Sequence, residues 1–317
     1  MSTIQVQAPG LLTTVQDLGR EGHGALGVSA SGAADPIALR IGNRLLANPE
    51  NASALEMTLL GGTFVFPDGA AIALTGSDFG ANVNGVPLPL YESLEMKPGQ
   101  SLRVGPTVSG ARCYLCVGGG IDVEPFFESA STHLLSGLGG HQGRALRKGD
   151  MLKTGSAKSQ AKGGFRKRTI RRTALEALLP RLTLRVTSGP QAQEFSEAAW
   201  QTFCGSAYRV TEETNRMGIR LQGAAVARDS EQELVTEGVS LGAVQIPPSG
   251  QPIVLFVEQQ TTGGYPKIAN AISADLASLG QLRPRDEIRF ERVEIKRAIE
   301  LLREQEAVLA SSELIQE

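Results

Sequence analysis

The sequence predicts a mainly β protein built from two β-barrel units, and three observations lead to this prediction. The chain has 317 residues, which at about 150 residues per domain suggests two domains. Most of its apolar segments are short and are separated by Gly, Pro, Asp or Asn, as in antiparallel barrels and sandwiches. The two halves also share a loose internal repeat, which indicates a duplication.

In the first half, alternating or apolar runs bounded by turn residues predict strands at 64–66, 71–74, 82–86, 101–104 and 112–117. One helix is predicted over residues 36–47. Asp35 is placed to cap its N-terminus, and Pro36 is placed at its first helical position.

In the second half, similar runs predict strands at 182–186, 208–211, 242–246, 252–257 and 287–292, and helices at 193–203 and 267–279. A charged helix is predicted from 293 to about 309. The internal repeat pairs residues 111–120 with 251–264 and residues 143–154 with 280–290. In each pair of segments a strand leads to a Gly-rich loop, and a turn then precedes a closing strand.

Residues 157–172 carry seven Lys and Arg residues and no acid. A basic arm for nucleic acid is one interpretation, but no aromatic side chains for base stacking accompany the charges. We favour a solvated linker at 157–172, between an N-terminal barrel domain at 1–156 and a C-terminal barrel domain with its terminal helix at 173–317.

Composition and charge exclude several classes of protein. The net charge is −2, hydrophobic residues make up 41% and aromatic residues 5%, which argues against a disordered chain or a nucleic-acid-binding one. No signal peptide or apolar run long enough to span a membrane is present, and three cysteines suit a reducing cytoplasm. Cys113 and Cys116 form a CxxC, but in a strand they would point to opposite faces, so we expect a structural role.

Motif searches favour no metal site and none of the common hydrolase or P-loop classes. The richest polar segment is residues 259–267, QQTTGGYPK, directly after an apolar strand. Loops at strand ends often carry binding groups, so we interpret this loop as a site, with a polar turn as the alternative. Arg216 and Gln245 are polar residues among apolar neighbours, and either could be a satisfied core group instead.

Several of these segments carry a family resemblance that runs from about residue 9 to 290. They are PGLLTTVQDLGR (9–20), ARCYLCVGGGID (111–122), GGHQGRALRKGD (139–150), TNRMGIRLQG (214–223) and FVEQQTTGGYPKIA (256–269). Together they resemble the biotin-dependent carboxyltransferase A/B family, of the allophanate hydrolase subunit 2 type, and within it the 5-oxoprolinase members.

The resemblance implies two cyclophilin-like β-barrel domains and an enzyme component that hydrolyses 5-oxo-L-proline to L-glutamate with ATP. It implies two partner proteins, the A component of that enzyme and its kinase-inhibitor-like B component, and no nucleic acid or membrane. Two alternatives stay open. One is a carboxyltransferase component that acts on a urea- or amide-type substrate with biotin, and the other is a regulatory antagonist of a kinase-inhibitor-like protein.

The family's substrates share an N–H beside a C=O, and a carboxamide offers the complementary donor and acceptor. Gln16, Gln245 and Gln260 are therefore candidates for substrate binding. Arg20, Arg144, Arg216 and Lys267 are candidates for meeting carboxylate or phosphate charge, and Asp17 and Asp35 for proton transfer, with Lys267 counted among the catalytic candidates. The remaining loop candidates for substrate binding are Thr261, Thr262, Gly263, Gly264 and Tyr265.

The sequence departs from the family pattern at six positions. Glu128 replaces a Gly, Ala130 an Arg and His133 an aromatic residue; Asn215 stands where the pattern has Asp, and Glu258 and Gln259 stand where it has Asp and Arg. Several of these changes alter charges that could recognise a substrate anion, whereas the segment QTTGGYPK is unchanged.

Overall fold

Short strands joined by tight turns make up most of the structure, a computed structural model that describes residues 2–156, 165–230 and 234–317. The chain divides into two units. The first unit comprises Met1–Arg20, Ser31–Leu178 and Val308–Glu317, and the second comprises Glu21–Ala30 and Leu179–Ala307. The predicted linker lies partly outside the described residues, and the predicted domain boundaries stay a prediction.

Thirteen strands of the first unit lie before residue 179, where the main segment of the second unit begins. They are β1 (Thr3–Ala8), β2 (Leu12–Gln16), β3 (Ala54–Thr58), β4 (Thr63–Phe66), β5 (Ala70–Gly76), β6 (Asn82–Val83), β7 (Val86–Pro87), β8 (Ser93–Met96), β9 (Gln100–Arg103), β10 (Arg112–Val117), β11 (Ile121–Asp122), β12 (Met151–Thr154) and β13 (Thr169–Ile170). The first twelve form a seven-stranded sheet in the order β11-β12-β1-β4-β9-β6-β7 and a five-stranded sheet in the order β2-β3-β10-β5-β8, while β13 belongs to neither sheet.

One hydrophobic core lies between these two sheets. Ile4 of β1 and Phe64 of β4 contribute from the larger sheet, and Leu55 of β3 and Leu115 of β10 from the smaller one. All six residues of β10 are buried, so both faces of this strand are covered. Helix α1 (Pro36–Leu45) packs against β5 and β10, and helix α2 (Arg172–Leu178) follows β13.

The second unit contains a closed barrel. Its strands are β14 (Thr183–Ser188), β15 (Tyr208–Val210), β16 (Gly218–Gln222), β17 (Glu237–Gly238), β18 (Ala243–Gln245), β19 (Ile253–Leu255), β20 (Thr262–Gly263), β21 (Lys267–Ala271) and β22 (Glu287–Arg292). The barrel order is β14-β21-β18-β19-β16-β15-β22, and the parallel pair β14–β22 closes it. Strands β17 and β20 form a separate two-stranded sheet.

The second unit also holds helices α3 (Glu197–Gly205) and α4 (Leu276–Gly280), and most of α5 (Ile295–Ala310). A last strand, β23 (Ile315–Gln316), belongs to the first unit and pairs antiparallel with β13. Three 3-10 turns, at Gly24–Leu26, Ala192–Glu194 and Ser273–Asp275, complete the helical elements of the described residues.

The prediction of a mainly β fold is confirmed. The predicted strands at 112–117 and 287–292 match β10 and β22 at both ends, and Asp35 caps α1 by accepting a hydrogen bond from the Ala38 backbone N–H at 2.9 Å. The predicted helix at 267–279 is wrong over its first half. Residues 267–271 form barrel strand β21, and only 276–280 are α-helical.

Candidate functional site

The loop at residues 259–267, predicted from its polar composition, lies in the second unit between β19 and β21. Its centre forms strand β20, which pairs with β17 in the register Glu237↔Gly263 and Gly238↔Thr262. The Val239 backbone N–H donates to the Thr261 carbonyl at 3.1 Å. The loop is therefore held by backbone hydrogen bonds, while Gln260, Thr262, Gly264 and Tyr265 stay exposed.

A small cavity of about 130 Å³ opens beside this loop. Its lining residues are Asn215, Met217, Gly218, Arg220, Gln245, Ile253, Leu255, Gln260 and Tyr265. Three of them, Gln245, Gln260 and Tyr265, are substrate-binding candidates from the sequence, although Gln245 is 15 residues from Gln260 in the chain. A cavity of this size with several polar groups suits a compact polar molecule rather than a large cofactor.

Gln245 is the buried polar group of this cavity. It ends strand β18, its residue is only 2% exposed, and its Nε2 atom has no hydrogen-bond partner among the described residues. A buried donor left unpaired costs about 1–3 kcal/mol, so native structures seldom contain one without a functional reason.

Gly263 allows the two carboxamides of the cavity to approach the loop closely. A Cβ atom on Gly263 would lie 2.6 Å from Gln245 Nε2 and 2.9 Å from Gln260 Nε2. Real Cβ atoms do not approach neighbours this closely, so any larger residue would displace these amides. Its neighbour Gly264 is different, because the nearest atom to a Cβ there would be Thr236 Oγ1 at 3.5 Å.

Lys267, a catalytic candidate expected to meet carboxylate or phosphate charge, is buried. The residue is 1% exposed at the start of β21. Its Nζ lies 2.6 Å from Glu237 Oε1, and Glu237 also accepts a hydrogen bond from Gln191 Nε2 at 2.7 Å. The Lys267 ammonium and, after it, the Gln191 carboxamide lower the pKa of Glu237 below its ordinary value. Lys267 therefore holds β17 beside β21, and its charge is already neutralised.

Arg216 also has a partner within the second unit. Its Nε donates to Glu258 Oε1, and both side chains are buried. Asn215 lies next to it and makes the turn into β16, since its Oδ1 accepts from the backbone N–H of Met217 at 2.8 Å. An amide oxygen supplies this acceptor as well as a carboxylate would. The departure at position 215 therefore keeps the turn and removes a negative charge from the cavity wall.

In the first unit, Asp17 is surrounded by donors rather than open to a substrate. Its carboxylate accepts from the Gly19 backbone N–H at 2.8 Å, the Ser129 hydroxyl at 2.7 Å and the Ala130 backbone N–H at 2.6 Å. The Ser131 hydroxyl donates to it as well. We call these five residues the Asp17 cluster. Ala130 contributes only its backbone here, so the family's Arg at this position is not needed for the cluster.

The neighbours of Asp17 are similarly engaged. Gln16 donates from Nε2 to Thr14 Oγ1 at 3.0 Å and to the Thr132 carbonyl at 3.1 Å, and its Oε1 has no partner among the described residues. The Arg20 guanidinium donates to the backbone carbonyls of Phe126 and Ser131. These residues anchor the loop at 126–133.

The other two first-unit candidates have structural partners too. Asp35 caps α1, and its own backbone N–H donates to the Tyr114 hydroxyl at 2.8 Å. Arg144 makes two hydrogen bonds to Asp150, at 2.7 and 2.9 Å. The hydrogen bond from Arg144 lowers the pKa of Asp150 to about 2.

The sequence analysis missed a buried polar cluster around Glu56 of β3, near α1. Tyr114 donates to Glu56 Oε2 at 2.6 Å, and the Ala34 backbone N–H donates to the same oxygen at 2.8 Å. Arg112 lies 3.6 Å from the other Glu56 oxygen. Burial and the Glu56 carboxylate raise the pKa of Tyr114 well above its ordinary value. Glu56 lies in β3, and Arg112 and Tyr114 lie in β10; both strands are mostly apolar in sequence, so no local signal marks these residues.

Within residues 2–156, 165–230 and 234–317, no three His, Cys, Asp or Glu side chains are grouped so that they could hold a metal ion. Over the same residues, no helix has the length and apolar content needed to cross a membrane. Cys113 and Cys116 are free and fully buried, and burial raises the pKa of both thiols.

Comparison with known proteins gives concordant results. The chain is 39% identical to the C subunit of 5-oxoprolinase from Escherichia coli (strain K12), over 96% of this chain and 95% of that protein. It is 36% identical to the C subunit of 5-oxoprolinase from Haemophilus influenzae, over 93% of each. The crystal structure of the K. lactis urea amidolyase superposes with a TM-score of 0.89 at 29% identity, covering 99% of this chain but only 20% of that one.

The family model described as "Carboxyltransferase domain, subdomain A and B" matches residues 26–292. This range includes the cavity, Gln245 and the whole loop at 259–267, and it confirms the resemblance inferred from the motifs. The chain therefore belongs to the carboxyltransferase domain family, subdomain A and B.

Proposed function

We propose that this chain is the C subunit of an ATP-dependent 5-oxoprolinase, which acts with the A and B subunits to convert 5-oxo-L-proline, ATP and water into L-glutamate, ADP and phosphate. The observation that carries the proposal is the match to two 5-oxoprolinase C subunits over nearly the full length of both chains. The urea amidolyase match, in contrast, leaves four-fifths of that larger chain without a counterpart here.

The cavity beside the loop at 259–267 is the proposed substrate site. 5-Oxoproline is a compact five-membered lactam with a carboxylate, and the cavity has the size and polar lining for such a molecule. Arg220 supplies a cation on the cavity wall, with its side chain about half exposed, and Glu213 lies 3.8 Å away. Arg220 would meet the substrate carboxylate there.

The other candidates have different roles in this proposal. Thr261, Thr262 and Gly264 shape the loop, and Lys267 is a positioning residue that fixes it through Glu237. Asp17, Asp35 and Gln16 support the first unit through the hydrogen bonds described above. Because Arg20, Arg144 and Arg216 are engaged within the fold, we assign them no contact with ATP, which reacts in the complex as a whole.

A second candidate function is a carboxyltransferase component that works on a urea-type substrate with a separate biotin carrier. The superposition on the urea amidolyase structure favours it, because 99% of this chain has a counterpart there. The cavity suits urea by size, but Arg220 on its wall has no charge to meet on that neutral molecule.

The test is co-expression with candidate A and B subunits, followed by assay of 5-oxoproline-dependent ATP hydrolysis and glutamate release. We expect activity from the complex of all three proteins and none from this chain alone. Mixtures that lack one of the three proteins or 5-oxoproline serve as controls. A complex that hydrolyses no ATP with 5-oxoproline but carboxylates urea with a biotin carrier would establish the second candidate instead.

A further inference from the structure

The side-chain amides of Gln245 and Gln260 converge on one side of Gly263. Gln245 Nε2 and Gln260 Nε2 lie 2.6 and 2.9 Å from the position that a Gly263 Cβ would take. The two nitrogens are therefore at most about 5.5 Å apart, the sum of these distances. An oxygen that accepts N–H hydrogen bonds of about 2.9 Å can bridge two nitrogens up to about 5.8 Å apart, so one acceptor atom can reach both.

The protein itself leaves this pair of donors available. Gln245 is almost fully buried, yet its Nε2 donates to no atom of the described residues, and it lines the cavity that Gln260 also lines. The Gln260 side chain is exposed at the edge of the same cavity. The cavity therefore has a buried donor, Gln245, at its inner end and an exposed donor, Gln260, at its entrance.

We infer that Gln245 and Gln260 form a two-donor site for a single carbonyl oxygen, so that the cavity selects small ligands with a lactam or cyclic-urea carbonyl. Identifying that carbonyl with the ring oxygen of 5-oxoproline rests on the proposed function. Two neutral donors suit a neutral carbonyl whose oxygen gains negative charge when its carbon is attacked.

The buried charged side chains near the cavity do not compete with the two amides for the ligand oxygen. Lys267 is paired with Glu237, and Arg216 is paired with Glu258, so neither cation is needed to bind the ligand oxygen. A cyclic amine that lacks the carbonyl leaves both amides unpaired, and such sites reject analogues of this kind strongly. Proline lacks this carbonyl but carries a protonated ring nitrogen, so cyclopentanecarboxylate, which keeps the ring and the carboxylate without that charge, is the second comparison ligand.

The test is isothermal titration of the reconstituted complex of all three proteins, without ATP, with 5-oxoproline, 2-imidazolidinone, proline and cyclopentanecarboxylate. We expect the two carbonyl ligands to bind, and proline and cyclopentanecarboxylate each to bind at least about tenfold more weakly than 5-oxoproline. Gln245→Met, Gln260→Met and Gly263→Ala should each weaken binding of the carbonyl ligands about tenfold or more. Gln222→Met, on the exposed face of β16, and Gly205→Ala, where a Cβ meets open space, should bind like wild type.

Thermal unfolding of each variant shows whether it folds. If Gln245→Met does not fold, Gln260→Met still tests the inference, because Gln260 is exposed. Unchanged affinity in Gln260→Met and in the folded Gln245→Met, equal binding of proline or cyclopentanecarboxylate, or no binding of either carbonyl ligand overturns the inference. If the complex does not hydrolyse 5-oxoproline but binds 2-imidazolidinone in a Gln245-dependent way, the carbonyl site stands and the proposed function fails. If it hydrolyses 5-oxoproline while both variants bind normally, the proposed function stands and the carbonyl site fails.

Discussion

Asp17 in the first unit, predicted for proton transfer, and Gln245 in the second, predicted for substrate binding, are both buried polar residues, but their hydrogen bonding is opposite. The Asp17 carboxylate accepts from Gly19, Ser129, Ala130 and Ser131. Gln245 Nε2 has no partner among the described residues. A polar group with all its bonds made inside the protein has little left for a ligand, whereas an unpaired buried donor gains from one. A buried polar side chain thus stabilises the fold in one unit and is left available for a ligand in the other.

The largest expected effect is at Asp17. Replacing it with Ala leaves two backbone N–H groups and two hydroxyls of the Asp17 cluster without their acceptor. We expect Asp17→Ala to lower the free energy of unfolding by about 3 kcal/mol or more, measured by urea denaturation. The exposed Asp68→Ala in the same unit is the control and should change it by less than about 0.5 kcal/mol. Equal stability of the two variants would remove the contrast between Asp17 and Gln245.

A smaller loss is expected at Lys267, which belongs with Asp17 as a structural residue. Lys267→Ala removes a buried stem and leaves Glu237 without its cation. It should reduce the free energy of unfolding by about 2 kcal/mol in the same measurement. Lys296→Ala, on exposed helix α5, is the matched control. If Lys267→Ala unfolds like Lys296→Ala, the ion pair with Glu237 does not hold β17 in place.

Asp150, like Asp17, is bonded within the fold, and its contact with Arg144 should make the stability depend on pH. Its pKa is lowered from 3.8 to about 2 by the hydrogen bond from Arg144, so the unfolded chain takes up this proton at a higher pH than the folded chain. The stabilisation is complete above about pH 4 and is lost as the pH falls from 4 to 2. Melting temperatures from pH 5 to 2 should therefore fall less steeply in Asp150→Asn than in wild type. Identical slopes would mean that Arg144 is not committed to Asp150.

The smallest change in the free energy of unfolding is expected at Gln245. Whether that free energy rises or falls in the variant distinguishes an unpaired Gln245 from a satisfied one. Gln245→Met keeps the size of the side chain and removes a donor that bonds to nothing in the described part of the protein. The free energy of unfolding should stay within about 0.5 kcal/mol of wild type or rise. A loss of more than roughly 1 kcal/mol would show that Gln245 is satisfied in the fold, as Asp17 is.

The sequence predicted those elements whose ends carry local signals. Asp35 and Pro36 marked the start of α1, and strands β10 and β22 have the predicted bounds. The helix predicted at 267–279 is wrong over its first half, where residues 267–271 form β21. Pairing of β21 with β14 and β18, which lie far away in the sequence, overrides the local pattern that predicted a helix. The same error concealed the burial of Lys267.

The sequence predicted which residue types line the cavity, but it did not predict which of the candidate side chains lack hydrogen-bond partners within the protein. Gln245, Gln260 and Tyr265 were candidates from the sequence and line one cavity in the structure. Nothing local shows that the hydroxyl groups facing Asp17 come from residues more than 110 positions away, or that Gln245 Nε2 has no partner among the described residues. Glu237 was missed because it is one of four acids in residues 229–237, and nothing in that segment marks it as the partner of Lys267.

The pairing of β13 with β23 has a consequence for biosynthesis. Ile315 and Gln316 follow the whole second unit in the sequence, yet they complete a sheet of the first unit, where Arg44 also binds the carbonyl of Ser311. At translation rates of about 5–20 residues per second, β13 waits on the order of ten seconds or more for its partner. On the ribosome, the half that is made first is therefore finished last, and a chaperone or a partner protein that arrives early would meet it with this edge still open.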